Sequence, residues 1–222
     1  MDNIDNIRSK CKNIEILSED PIVFTVDNFL TDEECDHFIK IAKPNLQRAF
    51  VSDNKVGVFS AGRTGSNTWI KHNTDKITKK IAMKVSIILN LPLETAESFQ
   101  AIHYGESQRY NQHYDGYKKE DTEKCKRCLK FGGQRIVTAL LYLNDVEEGG
   151  GTSFPKLDII SKAKKGKMIV FQNCLNNTTD VHPDSLHAGM PVIKGEKYAI
   201  NLWFREMNVK KLYDFPFLKK TD

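Results

Sequence analysis

Apolar positions in the N-terminal third of the chain recur mainly at helical spacing. Thr31 followed by Glu34 forms a capping box, in which each residue satisfies an amide donor of the other. The pattern therefore predicts a helix over residues 32–42, preceded by an extended run over residues 21–26. The predicted inward positions are Cys35, Phe38, Ile39 and Ala42.

A second amphipathic pattern covers residues 74–89. Apolar side chains there recur every three or four positions, which is the spacing of one helix face. These side chains are Ile77, Ile81, Val85 and Ile88. The intervening lysines fall on the other faces, so we interpret them as the solvated side of the helix.

After Pro92 the spacing of the apolar residues changes. Short runs rich in Val, Ile, Tyr and Phe are bounded by Gly, Asn and Asp, and no helical pattern separates them. The predicted strands include residues 99–104, 136–143, 168–172 and 198–204. Short strands separated by turn signals are typical of a sandwich or barrel of the jelly-roll kind. The predicted class is α+β, mainly β, with a jelly-roll core supported by N-terminal helices.

Composition and charge narrow the classes of function. The 222 residues include 40% hydrophobic positions, enough for a core without disulfides, and show no repeats or linkers. The 33 basic and 29 acidic residues give a net charge of +4 that is spread along the chain, so nucleic acid is not the expected partner. No run approaches the roughly 18 apolar residues that a membrane span needs. Five cysteines, an odd and sparse set, favour a reducing compartment, and the expected location is cytoplasmic.

The candidate chemistry lies in the β-rich half. His113 and Asp115 are two positions apart in a strand-like context, where alternate side chains share a face and can reach one ion. His187 follows 72 residues after Asp115. Two histidines and a carboxylate on one face of an octahedral ion leave positions open for substrates, as in non-haem Fe(II) oxygenases. The pair alone is a weak signal, because such tripeptides are frequent.

Further motifs stand at compatible spacing. They are residues 28–35 (Asn-Phe-Leu-Thr-Asp-Glu-Glu-Cys), 142–146 (Tyr-Leu-Asn-Asp-Val), 149–155 (Gly-Gly-Gly-Thr-Ser-Phe-Pro), 185–189 (Ser-Leu-His-Ala-Gly) and Lys197, ten residues past His187. Together they resemble the prolyl 4-hydroxylases of the 2-oxoglutarate and Fe(II) dependent dioxygenase superfamily, over residues 21–205. The chain is most similar in type to the small free-standing members of bacteria and large DNA viruses.

The resemblance implies a double-stranded β-helix fold and assigns roles. His113, Asp115 and His187 would be the iron ligands, and Lys197 would bind the C5 carboxylate of 2-oxoglutarate. Tyr104 would complete that carboxylate site, with Tyr142 as the weaker candidate. At the substrate groove, the resemblance points to Arg63 and Trp69, and Trp203 is a further candidate wall. The implied organisation is an N-terminal extension over residues 1–20 and one catalytic domain over 21–222, with its core at about 98–206.

The implied activity is that of a procollagen-proline 4-dioxygenase-like oxidoreductase. It would use Fe(II), 2-oxoglutarate, O2 and the reductant ascorbate to hydroxylate C4 of a proline in a peptide or protein, releasing succinate and CO2. Two alternatives stay open: an oxygenase of the same superfamily acting on lysine side chains or an alkylated nucleobase, and a non-enzymatic β-barrel binding module. The protein substrate and the oligomeric state are not readable from the sequence.

Residues 116–131 form a long charged connection that contains the only Cys-x-x-Cys motif, Cys125 and Cys128. A structural zinc site needs four ligands, and no second pair exists in the chain. We therefore expect two exposed thiols on a loop, which could close over the substrate.

Overall fold

The computed structural model describes residues 4–11, 13–49, 61–118, 120, 122–210 and 212. The helices in these ranges are α1 (Ile4–Lys10), α2 (Asp32–Ala42), α3 (Lys76–Leu89) and α4 (Glu123–Leu129). The strands are β1 (Ile14–Glu19), β2 (Ile22–Val26), β3 (Gln47–Arg48), β4 (Ser66–Ile70), β5 (Phe99–Tyr104), β6 (Tyr110–His113), β7 (Arg135–Tyr142), β8 (Glu148–Gly149), β9 (Thr152–Phe154), β10 (Ile159–Ser161), β11 (Met168–Gln172), β12 (His187–Gly189), β13 (Val192–Lys194) and β14 (Lys197–Arg205). None of the helices in these ranges is long and apolar enough to cross a membrane.

The two predicted amphipathic helices are confirmed. The capping box of α2 is present, with Thr31 Oγ1 accepting from the Glu34 amide at 3.2 Å and a Glu34 carboxylate oxygen accepting from the Thr31 amide at 3.0 Å. Helix α3 begins two residues later than predicted because the Asp75 side chain caps it. It ends where Asn90 adopts a left-handed conformation, with φ of 50°.

Strands pair into a large antiparallel sheet and a small one. The major sheet has the order β1-β2-β11-β7-β14-β5-β4-β3, and the minor sheet has the order β10-β9-β12-β6. Strands β8 and β13 form a separate pair. A large sheet with a smaller one over part of its face is the predicted jelly-roll core. Strand β1, from the first 20 residues, lies at one edge of the major sheet.

The central strands of the major sheet are buried on both faces, and strand β14 shows which of its residues belong to each face. Tyr198, Ile200, Leu202 and Phe204 belong to the core that also contains α2 and α3. The alternate positions on β14 point to the other face, where they line a cavity between the sheets: Lys197, Asn201, Trp203 and Arg205. The period of two along one strand therefore separates residues that hold the helices from residues that line the cavity.

The connection that carries the two cysteines differs from its prediction. We expected exposed thiols on a loop, but Thr122 Oγ1 accepts from the Cys125 amide at 3.2 Å and caps the short helix α4. Cys125 and Cys128 are three residues apart and so share one face of this helix, which turns inward. They are 6% and 8% exposed, so the expectation of exposed thiols is wrong.

Candidate active site

Three side chains from the β6 and β12 region of the minor sheet meet at one point. His113 is the last residue of β6 and His187 is the first of β12, and the two are paired across the sheet. Asp115 lies just beyond the end of β6, in a bend rather than in the strand. One ligand atom from each side chain lies within 4.8 Å of the other two, so the group could hold a metal ion.

Backbone contacts fix the orientation of both imidazoles. The Nδ1 atom of His113 lies 2.8 Å from the carbonyl oxygen of Asn111, and that of His187 lies 2.9 Å from the carbonyl oxygen of Ser185. A carbonyl oxygen only accepts, so each Nδ1 carries the proton and donates it. In a neutral imidazole with this tautomer, Nε2 keeps its lone pair. Both Nε2 atoms lie 3.6 Å from a carboxylate oxygen of Asp115. The set has the tautomers that metal ligation requires.

The protonation states also suit a metal ion. Burial, helped by the nearby His113 and opposed by Asp115, lowers the pKa of His187 to about 4, so His187 is neutral at pH 7. Burial alone would raise the pKa of Asp115, but the imidazoles and the Arg135 guanidinium outweigh burial and hold it below its usual range. Neutral nitrogen donors beside an ionised carboxylate are the ligands that Fe(II) accepts.

A hydrogen-bonded group from the major sheet holds Asp115 in place. Its Oδ2 atom accepts from Thr138 Oγ1 at 2.8 Å and from Trp203 Nε1 at 2.9 Å. Thr138 in turn accepts from Asn173 Nδ2 at 2.9 Å. The Arg135 guanidinium lies 3.7 Å from the centre of the Trp203 ring. Trp203 is 4% exposed, so its hydrogen bond to Asp115 is shielded from solvent.

Behind this group lies a buried ion cluster. Glu97 accepts from Arg135 Nε at 2.6 Å and Nη2 at 2.8 Å, and from Arg205 Nε at 2.6 Å. Arg205 also donates to the carbonyl oxygens of Cys128 and Gly133, at 2.9 and 2.7 Å. The cluster therefore joins the end of α4 to the strands that support Asp115.

Lys197 is a buried cation that lines the cavity from β14, the strand that also carries Trp203. The residue is 1% exposed, and burial lowers the pKa of its amine to about 7. Its Nζ atom lies 5.2 Å from the centre of the Tyr142 ring and 6.0 Å from that of Tyr104, its cross-strand neighbour. No carboxylate of the described residues forms an ion pair with it. An ammonium in such a place is stabilised when an anion enters the cavity.

One cavity of about 530 Å³ brings most of the predicted residues together. It is lined by the three candidate ligands and by Lys197, Tyr104, Arg63, Trp69 and Trp203. Arg63 donates to Gln100 Oε1 at 2.8 Å and lies 4.7 Å from the centre of the Tyr110 ring. Tyr142 is fully buried and is absent from this lining, and its hydroxyl lies 2.8 Å from Thr152 Oγ1.

Sequence reasoning missed the residues that support the cluster, namely Thr138, Asn173, Glu97, Arg135 and Arg205. A signal for two of them exists, because Thr138 and Arg205 occupy alternate positions on strands whose other face is apolar. Asn173 and Glu97 carry no such signal, since each lies outside a strand.

Comparisons with known proteins agree with this geometry. A model of the 2OG-Fe(II) oxygenase superfamily matches residues 99–205. "Probable prolyl 4-hydroxylase 8" of Arabidopsis thaliana is 36% identical over 212 residues, which cover 86% of this chain and 71% of that protein. "Putative prolyl 4-hydroxylase" of Acanthamoeba polyphaga mimivirus is 37% identical over 183 residues, which cover 82% of this chain and 74% of the relative.

A solved structure extends the match to the fold. The viral collagen prolyl hydroxylase of Paramecium Bursaria Chlorella virus-1, in its complex with 2OG, is 30% identical with a TM-score of 0.64. The match covers 86% of this chain and 95% of that one, so the predicted jelly-roll fold is confirmed. The sequence identity, together with the share of each relative that the match covers, shows that the proteins are homologous. The chain belongs to the prolyl 4-hydroxylase family of the 2OG-Fe(II) oxygenases.

Proposed function

We propose that this chain hydroxylates C4 of a proline within a peptide or protein. The reaction consumes the proline substrate, 2-oxoglutarate and O2, and yields 4-hydroxyproline, succinate and CO2. The observation that carries the proposal is the presence, in one cavity, of the His113, Asp115 and His187 cluster and of the buried cation Lys197. A binding module with the same fold would have no need of either feature.

We assign the metal-binding role to His113, Asp115 and His187. Their donor set fits Fe(II), because two imidazoles and one carboxylate converge while their other polar atoms are hydrogen-bonded to the protein. Bound Fe(II) and 2-oxoglutarate supply the oxidation, in which the cosubstrate is decarboxylated and one oxygen atom is transferred to the substrate. The protein residues hold the ligands in one orientation and exclude water.

Lys197 is assigned to the distal carboxylate of 2-oxoglutarate. Its depressed pKa shows how unfavourable its charge is without an anion, so a carboxylate that enters the cavity restores the charged form. Tyr104, beside it on β5, is assigned to the same carboxylate. The Tyr142 hydroxyl lies within hydrogen-bonding distance of Thr152, so we assign Tyr142 to packing against the lysine.

The proline substrate is assigned to the part of the cavity lined by Arg63, Trp69 and Tyr110. Aromatic walls suit the apolar pyrrolidine ring. For Trp203, which we first considered a wall of the groove, the hydrogen bond to Asp115 supports a role in orienting that carboxylate.

We also propose a reductant and a compartment. Ascorbate is assigned as the reductant that keeps the iron in the ferrous state. The five cysteines are all free of disulfides, which is in keeping with a reducing compartment such as the cytoplasm.

The test is an assay of the purified chain with Fe(II), ascorbate, 2-oxoglutarate and proline-containing peptides. We expect the peptide to gain one oxygen atom in mass, amino-acid analysis to identify 4-hydroxyproline, and succinate to form in equal amount. A peptide with alanine in place of the proline is the matched control. Oxidation of another residue type, or of the alanine peptide, would contradict the proposal.

A further inference from the structure

The net charge of the chain is concentrated in the active-site cavity. Among the residues that the structure describes, eight basic and three acidic side chains line it, which gives a net charge of +5. Six basic and five acidic residues lie outside the described ranges. The remaining described residues therefore hold 19 basic and 21 acidic residues, a net charge of −2. The modest total of +4 hides a cationic cavity in an otherwise slightly acidic protein.

Cofactors leave this excess unchanged. Fe(II) brings two positive charges and 2-oxoglutarate brings two negative ones. Around them, Lys197 faces the distal carboxylate and Asp115 faces the metal, as proposed above. Glu97 is shared by two arginines, Arg135 and Arg205, which leaves one positive charge in that cluster.

The rest of the excess lies outside the metal site, on two parts of the chain. Arg48 on β3 and Arg63 flank the residues 50–60, and Lys118, Lys124 and Arg127 lie on the connection that contains α4. Glu120 is the one acidic residue among the described part of this outer lining. The summed charge sets the potential in a cleft, whether or not a single cation has a neighbour.

We propose that the substrate is an acidic segment, with Asp or Glu residues on both sides of the proline that is hydroxylated. The inference rests on the proposed function. Cations on two walls of the cavity would attract and orient such a segment, and Trp69, Tyr110, Tyr114 and Tyr117 add aromatic surface for the proline and its neighbours. A lysine-rich segment would be repelled from both walls.

The test uses three peptides of equal length with one central proline, flanked by glutamate, glutamine or lysine. We expect kcat/KM to fall in that order, by at least about tenfold from the glutamate to the lysine peptide at low salt. The difference should arise mainly in KM, and it should shrink in about 0.5 M NaCl, where exposed charges are screened. Equal kcat/KM values for the three peptides would overturn the inference.

A pair of charge reversals on one helix localises the effect. In the double variant Lys124→Glu with Arg127→Glu, the preference for the glutamate peptide should disappear or invert. The matched control, Lys126→Glu on α4 with Lys130→Glu at its C-cap, makes the same change in net charge at positions outside the cavity lining, and it should keep the preference. Thermal unfolding of each variant shows whether it is folded. Equal loss of preference in both variants would contradict a role for the cavity.

Two further outcomes have separate meanings. A single-stranded oligonucleotide that inhibits turnover more strongly than a polyglutamate peptide of equal charge would overturn the inference in favour of a nucleic acid. Failure of every peptide to be hydroxylated, with Fe(II) and 2-oxoglutarate bound, would overturn the proposed function itself. Hydroxylation without charge preference overturns the present inference alone.

Discussion

The minor and the major sheet contribute different things to the active site. The minor sheet provides His113 and His187 from strands of four and three residues. The major sheet provides Lys197 and Trp203 from one nine-residue strand, and Thr138 from the eight-residue strand beside it. Short strands bring the two histidines together, and long strands carry the side chains that surround the histidines.

This difference shows why the carboxylate has two hydrogen-bond donors. Asp115 lies beyond the end of its strand, where no ladder of backbone hydrogen bonds fixes it. Thr138 and Trp203, which are paired across the major sheet, hold its Oδ2 atom instead. The candidate metal site is thus assembled on the minor sheet and oriented by the major sheet, and each contribution can be removed separately.

Loss of a ligand from the minor sheet should have the largest effect. We expect His187→Ala to abolish turnover and to weaken Fe(II) binding by more than about a hundredfold. Loss of a residue that only hydrogen-bonds to a metal ligand lowers metal affinity by up to about a hundredfold, and loss of the ligand itself should cost more. Metal content after dialysis and 2-oxoglutarate decarboxylation measure the two effects. His103→Ala is the control, because His103 lies on β5 and contacts Glu196 rather than the cluster. A His187→Ala enzyme that keeps its iron would remove His187 from the ligand set.

Loss of the cation from the major sheet should impair the cosubstrate and spare the metal. We expect Lys197→Met to weaken 2-oxoglutarate binding by about a hundredfold, since a buried charge would lose its partner, while Fe(II) binding is kept. Titration calorimetry measures both ligands. Lys194→Met, at an exposed lysine paired with Glu147, is the control. Unchanged 2-oxoglutarate affinity in Lys197→Met would remove the lysine from this role.

The same lysine should make stability depend on pH. Its pKa is about 7 in the folded protein without cosubstrate, against 10.5 as the ordinary value. Between pH 7 and 10.5 the unfolded chain binds a proton that the folded protein does not, so the free energy of unfolding should increase as the pH rises. The expected gain from pH 7 to 10 is roughly 3 kcal/mol relative to Lys197→Met.

Chemical denaturation of both proteins across this range measures the difference. Saturating 2-oxoglutarate should reduce the pH dependence, because its carboxylate restores the charged lysine. The same pH dependence in wild type and Lys197→Met would show that other groups cause it.

Loss of the orienting donor should have the smallest effect of the four. We expect Trp203→Phe to weaken Fe(II) binding about tenfold, because Asp115 loses one hydrogen bond and keeps the one from Thr138. Thr138→Val should act similarly, whereas Thr138→Ser, which keeps the hydroxyl, should restore most of the affinity. Affinity changes in Thr138→Ser as large as in Thr138→Val would assign the effect to packing.

Local patterns predicted much of this fold, and the reasons are visible in particular elements. Helix α2 was predicted to the residue because its capping box lies within one turn and its apolar face is regular. Helix α4 was missed because its seven residues are mostly charged, and its two inward cysteines are too few for a recognisable period. Their burial depends on the cavity wall and the Glu97 cluster, which come from distant parts of the chain.

The sequence by itself determined the chemistry: which residues could bind a metal, the lysine ten positions past the second histidine, and the family to which the chain belongs. These are matters of residue type and spacing along the chain. The tertiary structure decided the surroundings, because the hydrogen bonds to Asp115, the burial of Lys197 and the summed charge of the cavity involve distant parts of the chain. Asp115 and Trp203, for example, are 88 positions apart. A charge that is modest as a total became informative only when folding placed it on the walls of one cavity.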